Sequence, residues 1–202
     1  MNPDPPPSDR SHEKATFVRS VVEQFQPQLL RYAARLLGDS DRARDAVQDT
    51  FVRLLAQPQT AVDGHLAEWL FTVCRNRVFD INRKECRMKR FAEGAAERVL
   101  ATEPRPGTEL EAGETLAVAL RLIDRLPPNQ QEVIRLKFQN GFSYKEISRI
   151  TQLSVGNVGF LIHTAVKALR REWTAEVPGA GSATKLRRIS HERLERIPIG
   201  PR

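Results

Sequence analysis

Residues 120–171 read LRLIDRLPPNQQEVIRLKFQNGFSYKEISRITQLSVGNVGFLIHTAVKALRR, and this stretch decides the fold class. It contains two short helices, a turn and a longer basic helix, the layout of a helix-turn-helix that places one helix in the DNA major groove. Asn140-Gly141 breaks the preceding helix. Ser143-Tyr144-Lys145-Glu146 then forms a capping box, in which the Ser143 hydroxyl and the Glu146 carboxylate satisfy amides left free at a helix start. After Thr151-Gln152-Leu153, Ser154 is placed to cap a second helix. Val155, Val158, Ile162, Ala165 and Leu169 recur at three- and four-residue steps, one buried stripe. The opposite face carries Asn157, His163, Lys167, Arg170 and Arg171. Taken alone, the same pattern also fits a plain helical hairpin with a solvated basic face.

Upstream, the same periodicity extends over most of the chain. Phe17, Val21 and Phe25 line one face of a helix beginning near Ala15, and Pro27 predicts a new helix start. Leu29, Leu30, Ala33, Leu36 and Leu37 continue to Gly38-Asp39-Ser40, a stop-and-restart signal. The next helix, about Asp41 to Ala56, buries Ala43, Val47, Phe51 and Leu54 and exposes Arg42, Arg44, Asp45, Gln48 and Asp49. A loop over 58–64 precedes a third helix from about His65 to Arg90, apolar early and charged late. From Trp69 to Arg90 it holds seven basic residues against Asp80 and Glu85, a density beyond what solubility requires. Its aromatics Trp69, Phe71 and Phe79 stand among those charges, a combination suited to a single strand with unstacked bases, although Trp69 beside Leu70 and Val73 reads equally as core.

The chain is therefore expected to be all-α, with two small helical bundles joined by a flexible linker. The expected segments are a disordered leader at 1–14, a first domain at 15–90, a linker at 91–113, a second domain with the helix-turn-helix at 114–174 and a basic, flexible tail at 175–202. Strand-like alternation is absent from the sequence.

At 202 residues and a net charge of +7, the chain can bury two cores and suits a polyanionic partner. Cys74 and Cys86 lack a CxxC spacing or neighbouring histidines, which argues against a zinc site, and Cys74 reads as a small buried residue. No run approaches the roughly 20 apolar residues that span a membrane. Catalytic signatures are missing too: no phosphate-binding glycine loop, no HExxH, no Gly-x-Ser-x-Gly. Asp45 and Asp49 form an i,i+4 carboxylate pair, but beside Arg42 and Arg44 on an exposed helix they read as an ion-pair or docking surface. We expect no catalytic residue, no metal and no cofactor.

Taken together, these residues resemble the extracytoplasmic-function (ECF) sigma factors of the bacterial sigma-70 family, over roughly Phe17 to Trp173. Gly38-Asp39 followed by Asp45-Ala46-Val47-Gln48-Asp49-Thr50-Phe51 looks like the family's helix that docks on the β′ clamp helices of RNA polymerase. Trp69-Leu70-Phe71-Thr72-Val73-Cys74-Arg75-Asn76-Arg77-Val78-Phe79-Asp80-Ile81-Asn82-Arg83 is similar to the segment that engages the proximal (−10) promoter element. Leu126-Pro127 through Leu169 resembles the region that reads the upstream (−35) element and touches the polymerase β flap.

By position, the resemblance implies polymerase binding by Asp45, Gln48, Asp49 and Phe51. It implies proximal-element contacts from Trp69, Arg75, Asn76, Asp80, Arg83 and Arg87. Tyr144, Lys145, Asn157, Phe160, His163, Lys167 and Arg171 remain as upstream-element candidates. The implied partners are core RNA polymerase and promoter DNA, with an anti-sigma factor as a further partner the family admits, and the implied location is the bacterial cytoplasm. The rival readings are a stand-alone helix-turn-helix regulator, which has no use for a docking helix, and a helical enzyme.

The sequence departs from the family in the recognition helix. Gly159 and Leu161 stand where Lys and Arg are usual, Ser148 where the motif has Ala, and Gln152 where a turn Gly is common. The resemblance therefore predicts atypical or weak reading of the upstream element.

Overall fold

The computed structural model describes the backbone of residues 7–93 and 114–176, with side chains over 14–87 and 117–176. Every regular element in it is helical. The first compact unit carries α1 (Pro7–Leu37), α2 (Ser40–Ala56), a 3-10 turn (Gln59–Ala61) and α3 (Leu66–Glu93). The frame of the second is α4 (Glu114–Asp124), α5 (Pro128–Phe138) and α7 (Val155–Glu176), with α6 (Tyr144–Thr151) leading into α7. The linker expected at 91–113 and the tail at 175–202 lie almost wholly outside the described residues.

α1 differs from its sequence reading in two ways. It begins at Pro7, ahead of Ala15, with a proline at the first helical position where its missing N–H costs nothing. It also runs unbroken through Pro27, which was expected to restart the helix. An interior proline costs about 3 kcal/mol. Here Pro27 is exposed, and the buried stripe Val18, Val21, Leu29, Tyr32, Ala33 keeps one helical phase on both sides of it. A break would lose that register, so packing outweighs the local penalty.

The stop at Gly38 is as the sequence indicates. Gly38 takes φ +65°, the left-handed conformation that ends a helix, and its N–H donates to the Ala34 carbonyl at 2.8 Å. Asp39 then caps α2, accepting from the amides of Asp41 at 2.9 Å and Arg42 at 3.1 Å. α2 buries Ala43, Ala46, Val47, Thr50 and Leu54, while Phe51, expected inside, is only half-buried. The core of this unit is completed by Leu70, Phe71, Cys74 and Val78 of α3, with the Phe71 ring 5.2 Å from that of Tyr32. Burial of Phe71 alone is worth about 2–3 kcal/mol.

In the second unit, Pro128 opens α5 after the turn at Pro127. Gln131 Nε2 donates to the carbonyls of Asp124 (2.9 Å) and Leu126 (2.8 Å), satisfying acceptors where α4 ends. Buried Arg135 reaches Asp124 at 2.5 Å. Val133, Ile134 and Leu136 of α5 and Val158, Ile162 and Ala165 of α7 are buried. Val155, assigned to that stripe from the sequence, is 45% exposed. It is the first residue of α7, where the neighbouring packing runs out.

Candidate polymerase and nucleic-acid interfaces

Three surfaces carry the residues singled out from the sequence. On α2, Asp45 and Gln48 are exposed and share an arc with Val52, at 63% exposure, and Leu55. Steps of three, four and three residues place these four on one face of the helix. The two apolar members escaped the sequence reading, in which the positions expected to be exposed on this helix were all charged or polar. A helical wheel would have found them, since apolar side chains opposite the buried stripe need a reason to be there.

Asp49 and Phe51 sit differently. Asp49 is half-buried, with its carboxylate 2.5 Å from Arg77 Nε of α3, so its charge is engaged inside the unit. Arg42 likewise pairs with Glu85 of α3. Of the four docking candidates, Asp45 and Gln48 are the ones presented outright.

On α3, Trp69, Asn76, Asp80, Arg83 and Arg87 fall on one side of the helix at steps of seven, four, three and four. Asn76, Arg83 and Arg87 are exposed; Trp69 and Asp80 are half-buried. Phe79 lies on the same side at 43% exposure, and the Arg75 guanidinium sits 4.4 Å from its ring centroid. That contact holds both groups at the surface by cation–π attraction. Phe71 is different. It is fully buried against Tyr32, so the sequence suggestion that it stands among the charges to stack on a base is overturned: its helical phase belongs to the core.

Beneath this face, Cys74 is buried and its thiol is pushed up from 9.0 to about 12, chiefly by burial, with a hydrogen bond from Thr50 acting the other way. It is an inert packing residue. The described residues gather no cluster of three or more His, Cys, Asp or Glu able to hold a metal.

The helix-turn-helix forms as its capping signals require. Ser143 N donates to Glu146 Oε2 at 2.7 Å, and Glu146 N to Ser143 Oγ at 3.3 Å. Ser154 Oγ accepts from Asn157 N at 3.2 Å at the start of α7. Between them Gln152 takes φ +61°, the left-handed value, and the Ser148 hydroxyl donates to the Leu153 carbonyl at 2.5 Å. Tyr144, Lys145, Asn157, Phe160, His163, Lys167 and Arg171 are all exposed.

Comparisons with known proteins match this arrangement segment by segment. Residues 21–88 match the family described as Sigma-70 region 2, and residues 116–169 match Sigma-70, region 4. The chain is 34% identical to the ECF RNA polymerase sigma factor EcfG of Rhodopseudomonas palustris (strain TIE-1), over 73% of this chain and 80% of that protein. The chain belongs to the ECF sigma factors of the sigma-70 family.

A second relative of this sigma factor is SigL of Mycobacterium tuberculosis, an ECF RNA polymerase sigma factor 29% identical over 78% of this chain and 89% of its own. Among solved structures, the sigma factor RpoE of Bartonella quintana, crystallised with the anti-sigma factor NepR, superposes with a TM-score of 0.58 at 26% identity. The match covers 76% of this chain and 94% of that one. As an ECF sigma factor, the protein directs RNA polymerase to promoters. None of its described helices is long and apolar enough to cross a membrane.

Proposed function

We propose that the two units divide the sigma-factor task, residues 15–90 engaging polymerase and the proximal promoter element and residues 114–174 the upstream element, with 91–113 as the tether. Once one unit is bound, a tether raises the effective concentration of the other at its own site. The exposed arc of α2 (Asp45, Gln48, Val52, Leu55) docks on the β′ clamp helices. Asp49 and Phe51 support that arc from its buried edge.

The α3 face engages the proximal element. Arg83 and Arg87 neutralise phosphates, while Trp69, Asn76, Phe79 and Asp80 form the surface against which an unpaired base is held. Unpairing costs a few kcal/mol, which stacking and edge hydrogen bonds must offset. Lys145, Lys167 and Arg171 anchor the second unit on the duplex backbone, and the region around α5 touches the β flap. The protein makes and breaks no covalent bond; that chemistry belongs to the polymerase. An anti-sigma protein, such as the one crystallised with the Bartonella relative, is a further partner.

The observation that carries this reading is the gathering of Trp69, Asn76, Phe79, Asp80, Arg83 and Arg87 on one side of α3. A pull-down with bacterial core RNA polymerase followed by run-off transcription on genomic fragments tests it. Stable binding with new, discrete start sites is expected. Duplex DNA binding without core binding would favour a stand-alone regulator and remove the docking assignment.

A further inference from the structure

α7 begins with an unusual surface. From Val155 to Ile162 it carries no charged residue, and two glycines, Gly156 and Gly159, precede Phe160. Phe160 is 66% exposed, the most exposed large apolar residue among those described. Open space surrounds the position a side chain would take on Gly156, and Gly159 has only the Tyr144 ring beside it. Asn157, exposed as well, lies three residues before Phe160. Farther along the same exposed face come His163, Lys167 and Arg171.

In a helix-turn-helix, the N-terminal residues of the second helix meet base edges while cations around it meet phosphates. A first turn without charged or long side chains lets that helix sit deep in the groove. What its outer face then presents is the Phe160 ring and the Asn157 carboxamide, with the part-exposed Val155 at its start. The thymine C5 methyl is the apolar feature of the major groove, and adenine offers the N6/N7 pair that a carboxamide reads in bidentate fashion. A separation of three residues is about 4.5 Å along a helix, close to the rise of about 3.4 Å per base of one strand. The two side chains therefore address neighbouring base pairs.

We propose that Phe160 is a specificity residue that reads a thymine methyl group in the upstream promoter element, with Asn157 reading an adenine on an adjacent pair. The inference rests on the sigma-factor reading of α7 and names what this helix recognises. Its consequence is an element read through apolar contact in place of the cationic contacts usual at this helix start. Sequence preference then responds to a single methyl group, while Lys145, Lys167 and Arg171 supply the salt-dependent share of affinity.

The test uses the full chain with core RNA polymerase on a duplex promoter fragment located by run-off mapping. Each thymine of the upstream element is replaced in turn by deoxyuridine, which removes only the methyl. We expect one such replacement to weaken wild-type promoter complexes about four-fold, the factor carried by burying one methyl group. Phe160→Ala should weaken binding to the thymine duplex at least as much and lose discrimination between thymine and deoxyuridine; Phe160→Leu should retain part of it. Indifference of the wild-type complex to every replacement would overturn the proposal. So would Phe160→Ala with undiminished discrimination, or a Phe160→Ala loss that appears in core binding without DNA, which would assign the ring to a protein surface. Failure of the wild-type chain to form any promoter-specific complex would remove the sigma-factor reading itself, and this inference with it.

Discussion

The Ser148 hydroxyl donates to the carbonyl of Leu153 at 2.5 Å, bridging the turn in which Gln152 is held at φ +61°. The two departures from the family's turn pattern thus meet in one place. A glutamine in the left-handed region is strained by roughly 1–2 kcal/mol. The hydroxyl adds a hydrogen bond across the turn worth about 1 kcal/mol, which an alanine at 148 could not supply. Gln152→Gly should therefore raise stability by about 1 kcal/mol and Ser148→Ala lower it by about as much. Urea titrations of the two variants and their double mutant check this; a destabilised Gln152→Gly would show that the glutamine side chain contributes more than its strain costs.

Gly159 lies inside α7, where glycine costs about 1 kcal/mol relative to alanine. A Cβ there would stand 3.7 Å from Tyr144 Cε2, an ordinary contact. Gly159→Ala should stabilise the chain by about that amount, read as a higher melting temperature. A lower one would mean the Tyr144 ring has to move.

The α2 arc and the Asp49–Arg77 pair separate docking from folding. Val52 is mostly solvent-exposed, so Val52→Asp should leave the melting temperature unchanged. In a dry interface the new carboxylate costs on the order of 2 kcal/mol, weakening core polymerase binding about 30-fold. Asp49→Lys instead loses the ion pair with Arg77 and places two cations together, costing about 1 kcal/mol of stability. Thermal melts beside core-binding titrations distinguish the two, and equal stability losses would refute the assignment.

Two phenylalanines of α3 predict opposite outcomes. Phe71→Ala opens a cavity in the core and should cost about 3–5 kcal/mol of stability. Phe79→Ala, on the exposed side, should spare stability and core binding while reducing promoter opening, as should Arg83→Ala. Permanganate reactivity over the start region reads the opening; an unchanged footprint in both variants would dismiss the α3 face as the melting surface.

Cys74 predicts both a reactivity and a pH dependence. At pH 8 a thiol reagent should modify Cys86 in the native protein and reach Cys74 only after unfolding. Because burial pushes the folded thiol up from its ordinary 9.0 to about 12, the unfolded chain sheds that proton first as pH rises. The stability from keeping Cys74 neutral is complete below about pH 9 and is lost toward pH 12. Denaturant midpoints for wild type and Cys74→Ala, compared across that range, should converge as pH climbs.

Much of this molecule was legible in its residues because the signals are local. Helix periodicity, the Gly38-Asp39 break, the Ser143–Glu146 capping box and the Ser154 cap depend on neighbours within one turn, and each forms as the chain order implies. The side of α3 that carries Asn76, Arg83 and Arg87 follows from the same period. Other features were decided by tertiary packing. Pro27 is carried through α1 because a continuous buried stripe outweighs a local penalty; Phe71 faces Tyr32, away from solvent; and Asp49 is drawn to an arginine of another helix. Val52 and Leu55 gain meaning only once the buried side of α2 is known. A sequence states which residues lie on a common face, whereas which face meets a core is settled by the surfaces the rest of the chain brings against it.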